Sequence, residues 1–482
     1  MIAAAVGLFL PIGAAWWGLR ALRLRPATDS RLTTAAVACC LGIGLSSLTT
    51  FLAVSLHLFP GRAFVIGDAV LWLALGTAGW WACRPTSQAA ADAAPRPALG
   101  LSDWLARAAF AVVVTASFSV PVIEYLSAPH GQWDAWAIWN QKARFFYRAG
   151  DGWAAWLAIF WAQPGHPVLV PLSVARLWAY AGEELTVAPA LLSGVYGATA
   201  LAVVMGTLNV ARTRAWVAGS VLAAPFAFSH LVAAQTADLP VSMLVVTSLA
   251  MLRQDDPRVW RNPQRARSAL LLAGLLASLA VWTKNEGAVF LAASALLVAW
   301  IALRHGHARD MVWWVAGAAP VLAVVVWFKL VLTAGASPVY GPSTTASALG
   351  YLVSPDRHER IIGLMWPLFQ SWGGPWARWS LPVVMGGALG LALTPVGRSG
   401  RGVLAVVAAM LIGYYGAYVV TSMELTQLVN TTYERLTMQV WPALVLAALS
   451  VGEPAIPALP RSVGGTRSPP RTRCRRRPRR RA

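Results

Sequence analysis

The chain has 482 residues, of which 57% are hydrophobic and 12% charged, with 25 tryptophans and a formal net charge of +20. Apolar runs long enough to cross a bilayer recur along most of its length, which excludes a soluble globular protein and predicts an all-α, polytopic integral membrane protein. The short alternating pattern of a transmembrane β-barrel is absent, and ten arginines between Arg461 and Arg481 leave about +10 on the rest of the chain.

Apolar segments fall near 2–24, 33–58, 63–82, 106–126, 188–208, 215–233, 237–252, 268–283, 287–303, 311–332, 378–396, 402–423 and 436–452, thirteen in all. The N-terminus, Met1-Ile2-Ala3-Ala4-Ala5, lacks the basic region of a signal peptide and reads as the start of the first spanning helix. A weaker segment near 167–182 carries Pro167, Pro171, Arg176 and Glu183 nearby, and is read as half-inserted or interfacial. Arginines cluster at 20–31, at Arg212 and Arg214, at 253–267, at 304–309, at Arg398 and Arg401, and in the tail. All become cytoplasmic if the N-terminus is outside and 167–182 does not fully cross. The opposite parity is the alternative.

Four regions follow: an N-terminal three-helix membrane unit (1–83), an Ala/Pro-rich cytoplasmic linker (84–104), a membrane body (105–452) and a disordered Arg-rich cytoplasmic tail (453–482). The tail suits anionic lipid headgroups, and no nucleic-acid partner is expected; compositional drift is the other account of its arginines. Two long outer segments, 127–166 and 333–377, are rich in Trp, Pro and Gly and should lie on the membrane as interfacial helices over a cavity. Four cysteines (Cys39, Cys40, Cys83, Cys474) suggest neither a disulfide framework nor a metal site.

Four polar clusters interrupt the apolar pattern, and acids and bases are costly beside hydrocarbon. The first contains Trp133-Asp134-Ala135-Trp136 and continues to Asn140 and Lys142. Helical spacing puts Trp133, Trp136 and Asn140 on one face and Asp134, Ile138 and Lys142 on another. Asp134 among indoles suits a general base; a solvated cap in a tryptophan anchor is the plainer alternative. The second, Gln235-Thr236-Ala237-Asp238-Leu239-Pro240, reads either as an ordinary N-cap or as a second carboxylate facing the same cavity. In the third, Lys284-Asn285-Glu286, lysine and glutamate either pair with each other or hold and position a phosphate. In the fourth, Glu434-Arg435, the guanidinium either grips a lipid phosphate or snorkels to the interface. His166 and Glu124 are further candidates at the outer side.

In order, Trp133-Asp134-Ala135-Trp136 with Lys142-Ala143-Arg144, His166-Pro167 through Pro171-Leu172, Thr283-Lys284-Asn285-Glu286-Gly287, and Glu434-Arg435-Leu436 with Gln439 and Pro442 resemble the GT-C superfamily of polytopic glycosyltransferases. The likeness is to family 39-like bacterial members related to protein O-mannosyltransferases and spans roughly residues 105–452. It implies transfer of a sugar from a polyprenyl-phosphate donor to a glycan, lipid or protein acceptor on the outer face of the cytoplasmic membrane, with inversion. Asp134 would act as base, with Asp238 and Glu286 as further acids. Lys284, Asn285, Arg435, Trp133, Lys142 and His166 would bind substrate, without metal or cofactor. Many members follow the loop aspartate with a second acid, where this chain has Ala135. A transporter or flippase for a lipid-linked sugar is the rival reading; it predicts charges near the bilayer midplane and symmetric repeats.

Overall fold

The computed structural model describes residues 1–24, 30–83, 100–208, 212–252, 257–304, 306, 308–334, 345–394 and 400–450. Most of the 84–104 linker and the whole 453–482 tail lie outside the described residues. The described chain is all-helical. In order it forms α1 (Ile2–Ala21), α2 (Arg31–Ser55), α3 (Arg62–Ala82), α4 (Leu101–Ser127), α5 (Asn140–Arg148), α6 (Leu169–Ala181), α7 (Val187–Thr207), α8 (Arg212–Ala223), α9 (Phe226–Ala234) and α10 (Asp238–Met251). It continues with α11 (Pro257–Trp260), α12 (Pro263–Thr283), α13 (Glu286–Arg304), α14 (Met311–Trp327), α15 (Thr345–Leu352), α16 (Pro355–Ser371), α17 (Gly374–Ala377), α18 (Ser380–Ala392), α19 (Arg401–Val420) and α20 (Leu425–Leu449).

Among the described residues, nine helical stretches are long and apolar enough to cross a membrane. A tenth is the bent pair α8–α9, which breaks by 66° at Ala224-Pro225. The proline explains the break, since it can neither donate to the α8 ladder nor let its predecessor stay helical. Helices α6 and α10, at 13 and 14 residues, are shorter and almost wholly buried. The segments 127–166 and 333–377 carry α5, α15, α16 and α17, of which α16 opens on Pro355 and presents Arg357, His358 and Arg360 to the end of α19 and the start of α20.

Sequence chemistry sets several of these boundaries. The Asn262 side chain accepts from the backbone N–H groups of Gln264 and Arg265 at 3.1 and 3.2 Å, with Pro263 just behind it, so α12 starts there. Glu424 likewise accepts from Thr426 and Gln427 at 3.0 and 2.7 Å and opens α20. Between α12 and α13 the loop is only Lys284-Asn285. Lys284 turns extended (φ −157°, ψ 154°), and a Cβ on Gly287 would fall 2.2 Å from the Ala280 carbonyl oxygen. Only glycine lets the chain fold back so tightly. Small residues also seat α14 on α12: Cβ atoms at Gly274 and Gly317 would each lie 2.1 Å from a carbonyl of the other helix.

Helix α1 packs on both α2 and α3, and α1 and α2 also pack on α6. Their anchor is a buried ion pair. Asp68 on α3 receives the Arg176 guanidinium of α6 (Nε–Oδ2 3.1 Å), the Tyr180 hydroxyl at 2.6 Å and the Trp72 indole at 3.0 Å, while Arg176 also donates to the Gly7 carbonyl of α1. Both charged side chains are almost fully enclosed. Replacing Arg176 with Leu would leave a buried carboxylate unpaired and should destabilise the protein by about 3–5 kcal/mol. Thermal unfolding of the detergent-solubilised protein measures this, and an unchanged midpoint would contradict the anchoring role.

Candidate functional site

The four polar clusters meet at one end of the helix bundle. Helix α4 ends at Ser127, and the chain then turns at Gly131, whose φ of +73° favours glycine. A Cβ there would meet Ala135, the Ala234 carbonyl and the Gln235 side chain at 2.9–3.0 Å, so this glycine seats the Asp134 turn against the α9–α10 junction. Residues Ala135–Trp139 then form a π-helical turn. Asn140, on the following helix, donates to Gln235 Oε1 at 3.4 Å and joins the first cluster to the second.

Five charged side chains, from the turn after α4, from α20, from α10 and from the α12–α13 junction, form an alternating chain. Asp134 Oδ2 lies 2.5 Å from Arg435 Nη1 on α20. Arg435 Nε lies 2.9 Å from Asp238 Oδ2 at the start of α10. Asp238 Oδ1 lies 2.8 Å from Lys284 Nζ, which in turn lies 2.7 Å from Glu286 Oε1 at the start of α13. Asp238 is fully buried and also accepts from Gln439 at 2.7 Å and Thr236 at 3.1 Å. Gln439 is held in turn by the Tyr414 hydroxyl at 2.7 Å.

A cavity of about 430 Å³ opens beside this chain. Asp134, Lys284, Asn285, Glu286, Arg435 and His166 line it, as do Lys329, Tyr414 and Tyr418. Ile138, Val289, Leu428 and Leu436 supply aliphatic wall. Three polar atoms of lining residues are buried without a hydrogen-bond partner: Trp139 Nε1, His166 Nδ1 and Glu286 Oε2. Burial, then the positive charges of Lys284, Lys142 and Lys329, holds the His166 imidazole well below its usual range, so the ring is neutral.

Three expected site residues are placed differently. Asp238 does not line the cavity, nor does its side chain cap α10. Its carboxylate is consumed as shared counter-ion to Lys284 and Arg435, which makes it a positioning residue. Trp133 is about half exposed, stacks edge-on against Trp136 at 5.9 Å and does not line the cavity. Lys142 is wholly buried behind it, donating to the Gln163 and His166 carbonyls at 3.0 and 3.2 Å, with its ammonium over the Trp156 ring. Burial, then the charge of Lys329, lowers the pKa of Lys142. The π-helical turn accounts for this: its extra residue breaks the regular spacing, so Asp134 and Ile138 reach the cavity while Lys142 turns away, and Asn140 turns inward from Trp133 and Trp136. Lys329, Tyr414 and Tyr418 went unnoticed in the sequence as site residues. The usable signal was scarcity, since Lys329 is one of only three lysines and sits near the end of an apolar run.

Among the described residues, no group of three or more His, Cys, Asp or Glu side chains is arranged to hold a metal ion. Comparison with known proteins gave no relatives: no family model, no curated protein and no solved structure matches the chain.

Because Asp238 neutralises two cations in a dry setting, Asp238→Ala should destabilise the fold by about 3–5 kcal/mol. Gln439→Leu, which removes one hydrogen bond to the same carboxylate, should cost about 1.5–3 kcal/mol. Thermal unfolding in detergent would rank the two; equal and negligible shifts would deny Asp238 its central place.

Proposed function

We propose that the protein is a membrane glycosyltransferase, moving a sugar from a polyprenyl-phosphate donor to a hydroxyl of a glycan, lipid or protein acceptor at the outer face of the cytoplasmic membrane. The observation that carries this reading is the convergence of Asp134, Arg435, Lys284, Glu286 and Lys329 around one cavity that is part cationic and part aliphatic. A lipid-linked sugar phosphate needs both kinds of wall: cations for the phosphate and hydrocarbon for the prenyl chain. The proposed topology has thirteen spans with α6 half-inserted.

Orientation follows from the opposite helix ends. Arg265 and Arg267 open α12, Arg304 closes α13, Arg309 precedes α14 and Arg401 opens α19, all at the ends away from the cavity. The excess of basic residues marks the cytoplasmic side, which leaves the cavity outside. Charges gathered at helix ends on one side also favour a transferase over a transporter, whose ionisable groups belong near the midplane.

In the proposed reaction, Asp134 takes the proton of the acceptor hydroxyl as that oxygen bonds to the anomeric carbon. The bond from this carbon to the phosphate oxygen breaks, its electron pair leaves on the phosphate, and polyprenyl phosphate departs. Backside attack inverts the anomeric centre. Arg435 holds Asp134 in place until the acceptor arrives, and the cations of the cavity stabilise the charge that develops on the phosphate.

Asp134→Asn should lower glycosyl transfer about 10²–10⁴-fold, the usual worth of a general base. Its expression, membrane insertion and melting should stay near those of the parent protein. Transfer can be followed by mass analysis of envelope glycans and glycoproteins in a complemented deletion strain, and full activity of the Asn variant would remove the base from the scheme.

A further inference from the structure

The charges at the two ends of the cavity are not equally satisfied. At one end, Arg435 and Lys284 already sit 2.5–2.9 Å from the carboxylates of Asp134, Asp238 and Glu286. A phosphate placed there would have to approach three fixed anions and break existing pairs. At the other end stands Lys329, whose ammonium donates to the Gly165 carbonyl and to Asn285 Oδ1 at 2.6 Å. Both acceptors are neutral. Behind them Lys142 donates only to the neutral carbonyls of Gln163 and His166. Among the described residues, neither lysine lies within ion-pair distance of a carboxylate.

The segment 163–166 is thus gripped from two sides by ammonium groups, its carbonyls turned to them. Between them, His166 is more than nine-tenths buried, lines the cavity and leaves Nδ1 without a partner. In the tautomer protonated at Nδ1, the ring offers one more hydrogen-bond donor. Lys329 itself projects from a π-helical turn, Phe328–Leu332, a local departure from α-helix that often accompanies functional positions. A lysine ammonium held only by neutral acceptors, beside a spare buried donor, is a site for an anion.

We propose that Lys329, Asn285 and the His166 segment form a phosphate-binding subsite, separate from the Asp134–Arg435–Asp238–Lys284–Glu286 chain. Naming the anion as the phosphate of a polyprenyl-phosphate donor rests on the glycosyltransferase reading; the subsite itself does not. The arrangement divides the work of the cavity. Lys329 anchors the phosphate, while Arg435 remains with Asp134. Phosphate recognition and base positioning then belong to different cations. Asn285 bridges them, since its Oδ1 accepts from the Lys329 ammonium and it lies between Lys284 and Glu286 in sequence.

The test uses the full-length protein in nanodiscs with two probes, undecaprenyl phosphate and inorganic phosphate, by titration calorimetry. Loss of a charge-assisted contact should weaken undecaprenyl phosphate binding about tenfold or more in Lys329→Gln, with Lys329→Arg close to the parent. Equal binding by the parent and Lys329→Gln would overturn the subsite and leave the glycosyltransferase reading intact. Lysine-dependent binding of inorganic phosphate without any binding of the prenyl form would keep the subsite and remove the lipid donor. Binding of neither probe to the parent would overturn both. A readout on the parent protein guards against a variant that does not fold: acylation of Lys329, followed by mass spectrometry, should fall several-fold when undecaprenyl phosphate is present. Unchanged acylation, with binding established, would count against the subsite.

Discussion

The Asp238 carboxylate is the constraint on which the rest of the site depends. A fully enclosed carboxylate is strongly disfavoured unless charge and hydrogen bonds meet it, and here two cations, an amide and a hydroxyl do so. The two cations and the amide come from the α12–α13 turn and from α20, far apart in sequence. Satisfying one carboxylate therefore fixes the register of α10 against both. Arg435 extends the order to the loop after α4 through Asp134, and Lys284 extends it to α13 through Glu286. The tight turn at Gly287 is what allows Lys284 and Glu286 to share that spot. The cavity keeps its shape because its charged wall is held by charges that have nowhere else to go.

The asymmetry between the two cavity ends gives the structure its chemical sense. Three carboxylates and two cations make the α10–α20 end self-sufficient, with Asp134 at its edge, where it is partly exposed. The Lys329 end is assembled differently, from neutral carbonyls, an amide and a buried imidazole around ammonium groups. The aromatic floor beneath it, in which Trp139 and Trp156 face Lys142 and Trp156 stacks on Phe328, excludes water and strengthens the local field.

Much of this was legible in the sequence. Among the described residues the apolar segments fall on helices, nine stretches of which are long and apolar enough to cross a membrane, because long apolar runs in a membrane chain have few other ways to satisfy their backbone. Polar clusters at the ends of those runs pointed to one site, and Asp134, Asn285, Glu286, Lys284, Arg435 and His166 do line one cavity. What stayed hidden depends on geometry that periodicity cannot supply. A regular helix through Asp134 and Lys142 would put both on one face; the π-helical turn parts them. Asp238 has the local look of a cap, and only its distant partners Lys284, Arg435 and Gln439 reveal a counter-ion. Lys329 has no polar neighbours in sequence, so its place beside Asn285 could not be read from its own surroundings. The joining of α1–α3 to the body rests on Asp68 and Arg176, two single charges in apolar context more than a hundred residues apart.

The brevity of α10 has a consequence for the surrounding lipid. Fourteen residues extend roughly 21 Å, against about 30 Å for the hydrocarbon of a typical bilayer. If its far end reaches the inner boundary, its first turn stops well short of the outer one. The bilayer around this end of the bundle must then thin or deform to meet the short helix. Membrane thickness would thereby set how much strain the neighbouring lipid carries.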